Sequence, residues 1–333
     1  MSEVPLVTVL IPARNEEADI GCCLQAVLNQ DHPHDRMEIV LVDGGSTDGT
    51  KAVAEKILSD GDVDWRIVDN PTGTTPSNLN AGLTVAEGDY VCRVDARSLV
   101  PQHYVRRCSS LLEGRAEVAV TGGAQVAMPR DHSSRAAGIA RALNNRWATG
   151  GSRYRAGAAS GPSDTVYLGA FRTGELRSEG GWDEFYLTNQ DFELNRRMSR
   201  HGEVWFDSDL CVGYRPRRKV TELWQQYHRF GRWKMRYWRR SDDRPQSRQV
   251  VLLVGSATVV GLASWLVALP GRRTRRVVLG AGAGLVVLAA VDEFGGPPQD
   301  ETLSVRFHAM SALVAVSCGW FGGVVREWVR ETG

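Results

Sequence analysis

The chain has 333 residues, of which 42% are hydrophobic, and this is enough to bury a full core and more than one unit. The formal net charge of +1 excludes the basic excess typical of nucleic-acid-binding domains, so we expect no nucleic-acid partner. The six cysteines form no C-x-x-C pair, and their spacing argues against a zinc site or a disulfide framework. The N-terminus lacks the features of a signal peptide, so the N-terminal part is expected in the cytosol.

Short apolar runs alternate with helical patterns in the first hundred residues. This pattern predicts strands at 7–11, 38–43, 65–68 and 89–94, and helices at 17–29, 50–59 and 77–86. Such an alternation indicates βαβ units with a mostly parallel sheet, and therefore an α/β fold. Ligands bind beyond the carboxyl ends of the strands in these sheets, and Asp43 and Asp95 both stand at predicted strand ends.

The pattern is looser from residue 97 to residue 214. Helices are predicted at 102–113, 134–145 and 190–201, and short strands at 117–121 and 203–206. Residues 150–162 are rich in glycine, serine and arginine and predict a loop that closes over a ligand. We predict two domains, an α/β domain over residues 1–240 and a hydrophobic, membrane-associated helical region over residues 241–333.

Three apolar segments, at 250–269, 277–291 and 309–325, favour membrane insertion, with a buried helical subdomain as the alternative. Arginines at 272–276 separate the first two segments, and acidic residues separate the second from the third. The positive-inside rule conflicts with one simple span after a cytosolic domain, so the number and topology of the spans stay open. We expect the protein at the cell membrane, with the α/β domain on the cytoplasmic side. Basic and aromatic residues at 224–240 suit an interface with anionic headgroups.

Polar segments follow three of the predicted strands and begin one of the predicted helices. They lie at 12–16, 42–50, 95–97 and 188–193. A carboxylate at the end of a buried strand, such as Asp95, is well placed to hold a metal, although it also fits a cap of the next turn. Asp191 stands at a helix start and fits a capping box with Thr188, a role that is compatible with catalysis.

Six stretches in this order resemble the family 2 glycosyltransferases of GT-A fold, and within them the group that includes the succinoglycan-type exopolysaccharide transferases. They read VTVLIPARNEE, EIVLVDGGSTDGT, GDYVCRVDARS, DTVYLGAF, GGWDEFYLTNQDFELNRRM and LWQQYHRFGRW, between Val7 and Trp233. The resemblance implies a Rossmann-like nucleotide-diphospho-sugar transferase domain. It also implies transfer of a hexose-type sugar with inversion at the anomeric carbon.

The resemblance also implies a role for individual residues. Asp191 would be the catalytic base, and Asp95 would hold a divalent metal, Mg²⁺ or Mn²⁺. The residues that would bind the donor nucleotide are Pro12, Arg14, Asn15, Glu16, Asp43 and Arg97. Those that would bind the acceptor and the diphosphate are Gln226, Arg229 and Arg232.

The chain departs from the family pattern at several positions. Gly44 replaces one nucleoside carboxylate, and Gln190 replaces the first acid of the Glu-Asp pair. Arg97 stands where a second acidic residue is common, so it would either weaken metal binding or neutralise phosphate directly. Phe230 is the aromatic residue of an imperfect Q-x-x-R-W element, which favours addition of a single sugar over polymer synthesis.

The function implied is transfer of a sugar from a nucleotide-diphosphate donor to a hydroxyl of a lipid-linked or membrane-proximal glycan, in polysaccharide or cell-envelope glycan synthesis. One alternative is transfer to polyprenyl phosphate, which needs no deprotonation of the acceptor. Another is an inactive membrane scaffold of the same fold. Arg97 is the best support for a scaffold, whereas the retained Asp43, Asp95 and Asp191 favour an enzyme.

Overall fold

A computed structural model describes residues 4–145, 159–241 and 301–330, together with a few positions between 243 and 257. The chain divides into two compact units, Met1–Val126 with Arg153–Arg215, and Ala127–Ser152 with Pro216–Gly333. The predicted loop at 150–162 and the predicted apolar segments at 250–269 and 277–291 lie largely outside the described residues. The predicted domain boundary after residue 240 stays a prediction.

The first unit alternates strands and helices as expected. Its elements are β1 (Val7–Ala13), α1 (Glu17–Leu28), β2 (Met37–Asp43), α2 (Thr50–Ser59), β3 (Asp64–Asp69), α3 (Thr75–Val85), β4 (Tyr90–Arg93), β5 (Ser98–Leu99), α4 (Tyr104–Gly114), β6 (Val118–Ala127), β7 (Gly161–Pro162), β8 (Tyr167–Arg172), α6 (Thr173–Ser178), α7 (Gln190–Met198) and β9 (Glu203–Tyr214). Helix α5 (Ser134–Asn144) belongs to the second unit.

Nine strands of the described residues form one mixed sheet. Its order is β3-β2-β1-β4-β8-β6-β9-β5, with β7 paired to β9. Strands β3, β2, β1 and β4 are parallel, whereas β8 is antiparallel to both β4 and β6. The α/β prediction is therefore confirmed, with the parallel half of the sheet built from the first hundred residues.

The sheet is covered on both faces, which explains why β1 and β2 are almost continuously apolar. Val9 and Ile11 of β1 point to one core, together with Ile20 and Leu24 of α1. Leu10, from the same strand, points to the other core. Because strand residues alternate between the two faces of the sheet, β1 contributes side chains to both cores.

The second unit contains a tightly packed helix pair. Helix α8 (Val220–Arg240) packs along α9 (Leu303–Arg330), and α9 also packs against α5. Glycines allow this close approach: a Cβ on Gly231 would lie 2.0 Å from the Trp320 carbonyl oxygen, and one on Gly323 would lie 2.0 Å from that of His228. The buried Glu327 carboxylate pairs with Arg232 at 2.8 Å and with Arg236 at 2.6 Å.

Helix α9 contains the predicted apolar segment 309–325. Among the described helices it alone is long and apolar enough to cross a membrane, judged by length and composition. Its small residues face its helical neighbours, and Ala309 and Ala312 are buried. Phe307, Val314 and Val325 are exposed at spacings that place them on one face, so α9 has an apolar outer face.

Candidate active site

The loops after the parallel strands leave the sheet at one edge. Ala13 of β1 pairs with Asp43 of β2, and Leu10 of β1 pairs with Arg93 of β4. Residues 14–16 and 44–49 therefore begin side by side, and residues 94–97 begin alongside the end of β1, where the Val94 N–H donates to the Leu10 carbonyl oxygen. This is the edge at which parallel α/β sheets bind ligands.

Asn15 ties the first two loops together. Its backbone N–H donates to Ser46 Oγ at 2.9 Å, and its side-chain oxygen accepts the Thr47 N–H at 2.8 Å. Asn15 has a φ of 54°, a left-handed conformation that asparagine tolerates better than most residues. The two loops that are predicted to bind the donor are thus hydrogen-bonded to each other.

Asp43 ends β2 and is only 6% exposed. Its Oδ2 accepts the Ser46 N–H at 3.0 Å. Its Oδ1 is buried and has no hydrogen-bond partner within the part of the chain that the structure describes. Because buried polar atoms are nearly always paired, this oxygen is suited to accept a hydrogen bond from a ligand.

Gly44 has a structural reason for departing from the family pattern. A Cβ at this position would lie 2.6 Å from Asn78 Nδ2 and 3.1 Å from Gly73 Cα, so a second aspartate does not fit without movement. Gly73 itself has a φ of 65°, and its carbonyl accepts a hydrogen bond from Arg14 Nη1 at 3.2 Å. The sequence motifs did not identify Gly73 or Asn78, since neither lies in a recognised segment.

Asp95 and Asp191 are brought together by a third residue, Arg93, which the sequence analysis did not select. Arg93 Nε and Nη2 lie 2.9 and 2.8 Å from Asp95 Oδ1. Its Nη1 donates to Asp191 Oδ1. The Arg93 side chain is 5% exposed, whereas those of Asp95 and Asp191 are 35% and 47% exposed. One buried guanidinium therefore holds two accessible carboxylates.

Asp191 lies in the first turn of α7, as expected. The predicted capping box is not observed, because the N-cap residue is Asn189, which makes no side-chain capping hydrogen bond and has a φ of 67°. The Asp191 carboxylate bonds to Arg93 instead. The left-handed turn at Asn189 sets the direction in which α7 begins.

Buried hydroxyl and thiol groups lie behind Asp95. The Cys23 thiol donates to the Asp95 carbonyl oxygen at 3.4 Å, and the Tyr167 hydroxyl lies 2.8 Å from Ser98 Oγ. Burial raises the pKa of Cys23 and of Tyr167 above their usual ranges, and the nearby negative charge of Asp95 raises both further. Both groups therefore stay neutral at physiological pH, and neither competes with Asp95 as an anion.

Arg97 and Glu16, both predicted to bind the donor nucleotide, form an ion pair with Arg97 Nε 3.2 Å from Glu16 Oε1. The pair joins the loop after β1 to the loop after β4. Pro12 lies in β1, paired with Val42. Gln226, Arg229 and Arg232 lie on α8 in the second unit, where Arg232 pairs with Glu327.

Asp95 is the candidate ligand for a divalent metal. The described residues contain no group of three or more His, Cys, Asp or Glu side chains that could hold a metal ion. Arg93 engages Oδ1 of Asp95 and leaves Oδ2 to the partly exposed side of the carboxylate. This arrangement does not form a cage of protein ligands, but it suits a metal that shares one carboxylate with substrate phosphates and water.

Comparison with known proteins identifies the family. Residues 8–171 match the sequence profile of glycosyl transferase family 2, a range that includes Asp43 and Asp95. The chain belongs to this family. Its relatives include the succinoglycan biosynthesis protein ExoA of Rhizobium meliloti (strain 1021), 26% identical over 84% of this chain and 85% of the relative. The chain is therefore a glycosyltransferase.

Further similarities extend over most of the chain. A dolichyl N-acetyl-alpha-D-glucosaminyl phosphate 3-beta-D-2,3-diacetamido-2,3-dideoxy-beta-D-glucuronosyltransferase of Methanococcus voltae is 25% identical over 68% of this chain and 71% of the relative. The mannosyltransferase PcManGT from Pyrobaculum calidifontis, solved in complex with GDP-Man and Mn²⁺, has a TM-score of 0.66 at 19% identity. The match covers 99% of this chain and 89% of that protein. This likeness confirms the predicted GT-A fold.

Proposed function

We propose that this glycosyltransferase moves a sugar from a nucleotide-diphosphate donor to a hydroxyl group of a lipid-linked or membrane-proximal glycan, with inversion at the anomeric carbon. One observation carries the proposal. Asp95 and Asp191 are far apart in sequence, yet they share one buried arginine beside the carboxyl edge of the parallel strands. A donor-binding carboxylate and a base, each partly exposed and held close together, are what a single displacement requires.

The donor nucleoside lies against the loops after β1 and β2. The unpaired Oδ1 of Asp43 accepts a hydrogen bond from the nucleoside, and the turn held by Asn15 shapes the pocket with Pro12 and Arg14. Arg97, paired with Glu16, follows Asp95 in the same loop and contributes positive charge toward the diphosphate. The guanidinium neutralises charge without a proton transfer, because arginine stays protonated.

Asp191 acts as the general base. Its free oxygen accepts the proton of the acceptor hydroxyl while the acceptor oxygen forms a bond to the anomeric carbon. The bond from that carbon to the diphosphate oxygen breaks, and the electron pair leaves with the nucleoside diphosphate. The displacement is direct, so inversion needs one base and no covalent intermediate.

A divalent metal, Mg²⁺ or Mn²⁺, supplies charge neutralisation of the departing diphosphate when it is bound. Asp95 would hold it through Oδ2, with phosphate oxygens and water as the other ligands. The GDP-Man and Mn²⁺ complex of the mannosyltransferase that shares the fold supports this use.

A lipid-linked acceptor at a membrane surface is supported by two observations. The relative from Methanococcus voltae is named for a dolichyl phosphate-linked acceptor. In the second unit, α8 carries a basic and aromatic sequence and α9 presents an apolar outer face. Both features suit an interface with anionic lipids, and we place the catalytic unit on the cytoplasmic side.

The test combines donor binding with turnover. Purified full-length protein is titrated with UDP-sugars and GDP-sugars by calorimetry, with and without Mn²⁺, and transfer to a polyprenyl-diphosphate-linked sugar is measured for wild type and Asp191→Asn. We expect one donor to bind in both proteins and transfer to fall by about 10²- to 10⁴-fold in the variant. Intact transfer by a folded Asp191→Asn protein would show that the base is wrong. Folded wild type that neither binds nor turns over any donor would favour the scaffold.

A further inference from the structure

Arg93 makes a set of contacts that the proposed roles of Asp95 and Asp191 leave unexplained. It is the last residue of β4, and its side chain is almost completely buried. A buried guanidinium is costly unless its charge is balanced and its donors are used. The two carboxylates supply both, so Arg93, Asp95 and Asp191 form one ion-paired group in which the charge of the buried guanidinium is balanced and the two carboxylates leave one negative charge in excess.

The geometry gives each carboxylate one fixed and one available oxygen. Nε and Nη2 of Arg93 both reach Oδ1 of Asp95, and Nη1 reaches Oδ1 of Asp191. Among the described residues, Oδ2 of Asp95 and Oδ2 of Asp191 have no hydrogen-bond partner in the structure. Arg93 therefore sets the distance and orientation of the two oxygens that remain for ligands.

Lysine cannot reproduce this arrangement. A guanidinium presents donors along two edges in a fixed plane, whereas an ammonium is a single point on a flexible stem. A lysine at position 93 keeps the charge but can orient at most one of the two carboxylates firmly.

We propose that Arg93 is a positioning residue that couples the donor site to the base, by holding Asp95 and Asp191 in one fixed relation. The inference rests on the proposed function for the identity of the two sites. It adds that a change at Asp191 is transmitted to donor binding through Arg93. When Asp191 no longer competes for the guanidinium, Arg93 shifts toward Asp95 and neutralises more of its charge.

A double-mutant cycle on binding tests the coupling without requiring turnover. The Kd values for UDP and GDP in the presence of Mn²⁺ are measured by calorimetry for wild type, Asp191→Asn, Arg93→Lys and the double variant. We expect Asp191→Asn to change the Kd about threefold to tenfold in the wild-type background and to have almost no effect beside Arg93→Lys. If each substitution changes the Kd by its own factor and the double variant shows the product of the two factors, the proposal is overturned.

Kinetics provide the second readout, with a matched control. Arg66 also joins two carboxylates, Glu38 at 3.1 Å and Glu87 at 2.7 Å, but it lies near the other ends of the strands. Arg93→Lys should lower kcat about 100-fold with a smaller change in KM, because a small misplacement of reacting groups is costly, whereas Arg66→Lys should change neither. Thermal unfolding identifies variants that fail to fold. If Arg93→Lys fails to fold, Arg93→Gln replaces it in the cycle.

The outcomes separate this inference from the proposed function. A coupled cycle in a protein that transfers no sugar refutes only the proposed function. Transfer by wild type together with an unchanged kcat in folded Arg93→Lys refutes only the positioning role. A folded wild type that binds neither nucleotide overturns both.

Discussion

Replacing Asp43 by asparagine changes the charge at the end of β2 while keeping the side-chain shape almost constant. In the wild type, Oδ2 accepts the Ser46 N–H, and the buried Oδ1, which we propose to bind the nucleoside, has no partner among the described residues. In Asp43→Asn the amide oxygen keeps the bond to Ser46, so the amide NH₂ takes the place of Oδ1. The amide NH₂, a hydrogen-bond donor, then faces a hydrogen-bond donor of the nucleoside.

The magnitude follows from the kind of hydrogen bond that is lost. Hydrogen bonds to charged groups contribute about 1.5–3 kcal/mol, and leaving a buried group unpaired costs a similar amount. Since about 1.4 kcal/mol corresponds to a factor of ten, nucleotide binding should weaken about 10- to 100-fold. Folding should change little, because the Ser46 bond is retained.

Calorimetric Kd values for UDP and GDP check this prediction, with Asp69→Asn as the control. Asp69 ends β3 and pairs with Asp43 in the sheet register, but its side chain is 68% exposed and bonds to Lys51. Loss of an exposed ion pair has little effect on stability, and the nucleotide Kd should not change. Equal affinities of wild type and folded Asp43→Asn would refute the reasoning.

Three further predictions concern metal binding, packing and pH. Mn²⁺ should bind measurably only with a nucleoside diphosphate present, since Asp95 is the single predicted protein ligand; tight Mn²⁺ binding to the free protein would contradict this. A Cβ on Gly82 would lie 2.1 Å from Leu10 Cδ1, so Gly82→Ala should destabilise by about 1–3 kcal/mol in urea unfolding, whereas Gly174→Ala, with nothing within 4 Å, should not. Burial lowers the pKa of His32, because it disfavours the protonated ring in the folded protein. The contribution of neutral His32 to the free energy of unfolding is therefore complete above the unfolded pKa of about 6.5 and is lost as the pH falls toward the folded pKa. His32→Asn should flatten the dependence of unfolding free energy on pH in that window.

The parallel half of the first unit was predictable from the sequence, because the apolar runs there coincide with the strands and end where the strands end. Strands β1 to β4 fall within a few residues of the predicted segments, and Asp43 and Asp95 stand at or just beyond strand ends. The antiparallel half is set by pairing between distant segments, such as Val91 of β4 with Phe171 of β8, which local patterns do not encode.

The site was predictable only where a residue carries a motif. Asp43, Asp95 and Asp191 could be selected by position and resemblance. Arg93 could not, because the resemblance implied no role for it, although a charge at a buried strand position is itself a signal that a partner exists. Asn78 was likewise missed, since its effect on Gly44 depends on how α3 packs.

We predict that the helix pair α8 and α9 of the second unit lies at a membrane surface. Helix α9 has the length and apolarity of a membrane span, but it packs along α8, which carries six Lys and Arg residues. Arg232 and Arg236 bond to Glu327, and Arg239 donates to the Glu327 and Trp328 carbonyl oxygens. Insertion of α9 across the bilayer would draw these charges toward hydrocarbon, where an arginine at the centre of a span costs about 2.5–3.5 kcal/mol. An interfacial position, with the apolar outer face of α9 toward lipid, avoids that cost.

Cys318, exposed near the middle of α9, gives the measurement. With the other exposed cysteines changed in Cys22→Ser and Cys211→Ser, a fluorophore on Cys318 is quenched in vesicles by lipids labelled at shallow or deep acyl positions. We expect stronger quenching by the shallow label, since an interfacial helix lies about 5–10 Å into the headgroup and acyl boundary. A spanning α9 would place Cys318 near the bilayer centre, where the deep label quenches most. Stronger quenching by the deep label would require α8 and α9 to separate in the bilayer. The pairing of Glu327 with α8 would then already be lost, so the Glu327→Gln variant would show the same quenching pattern as the wild-type residue.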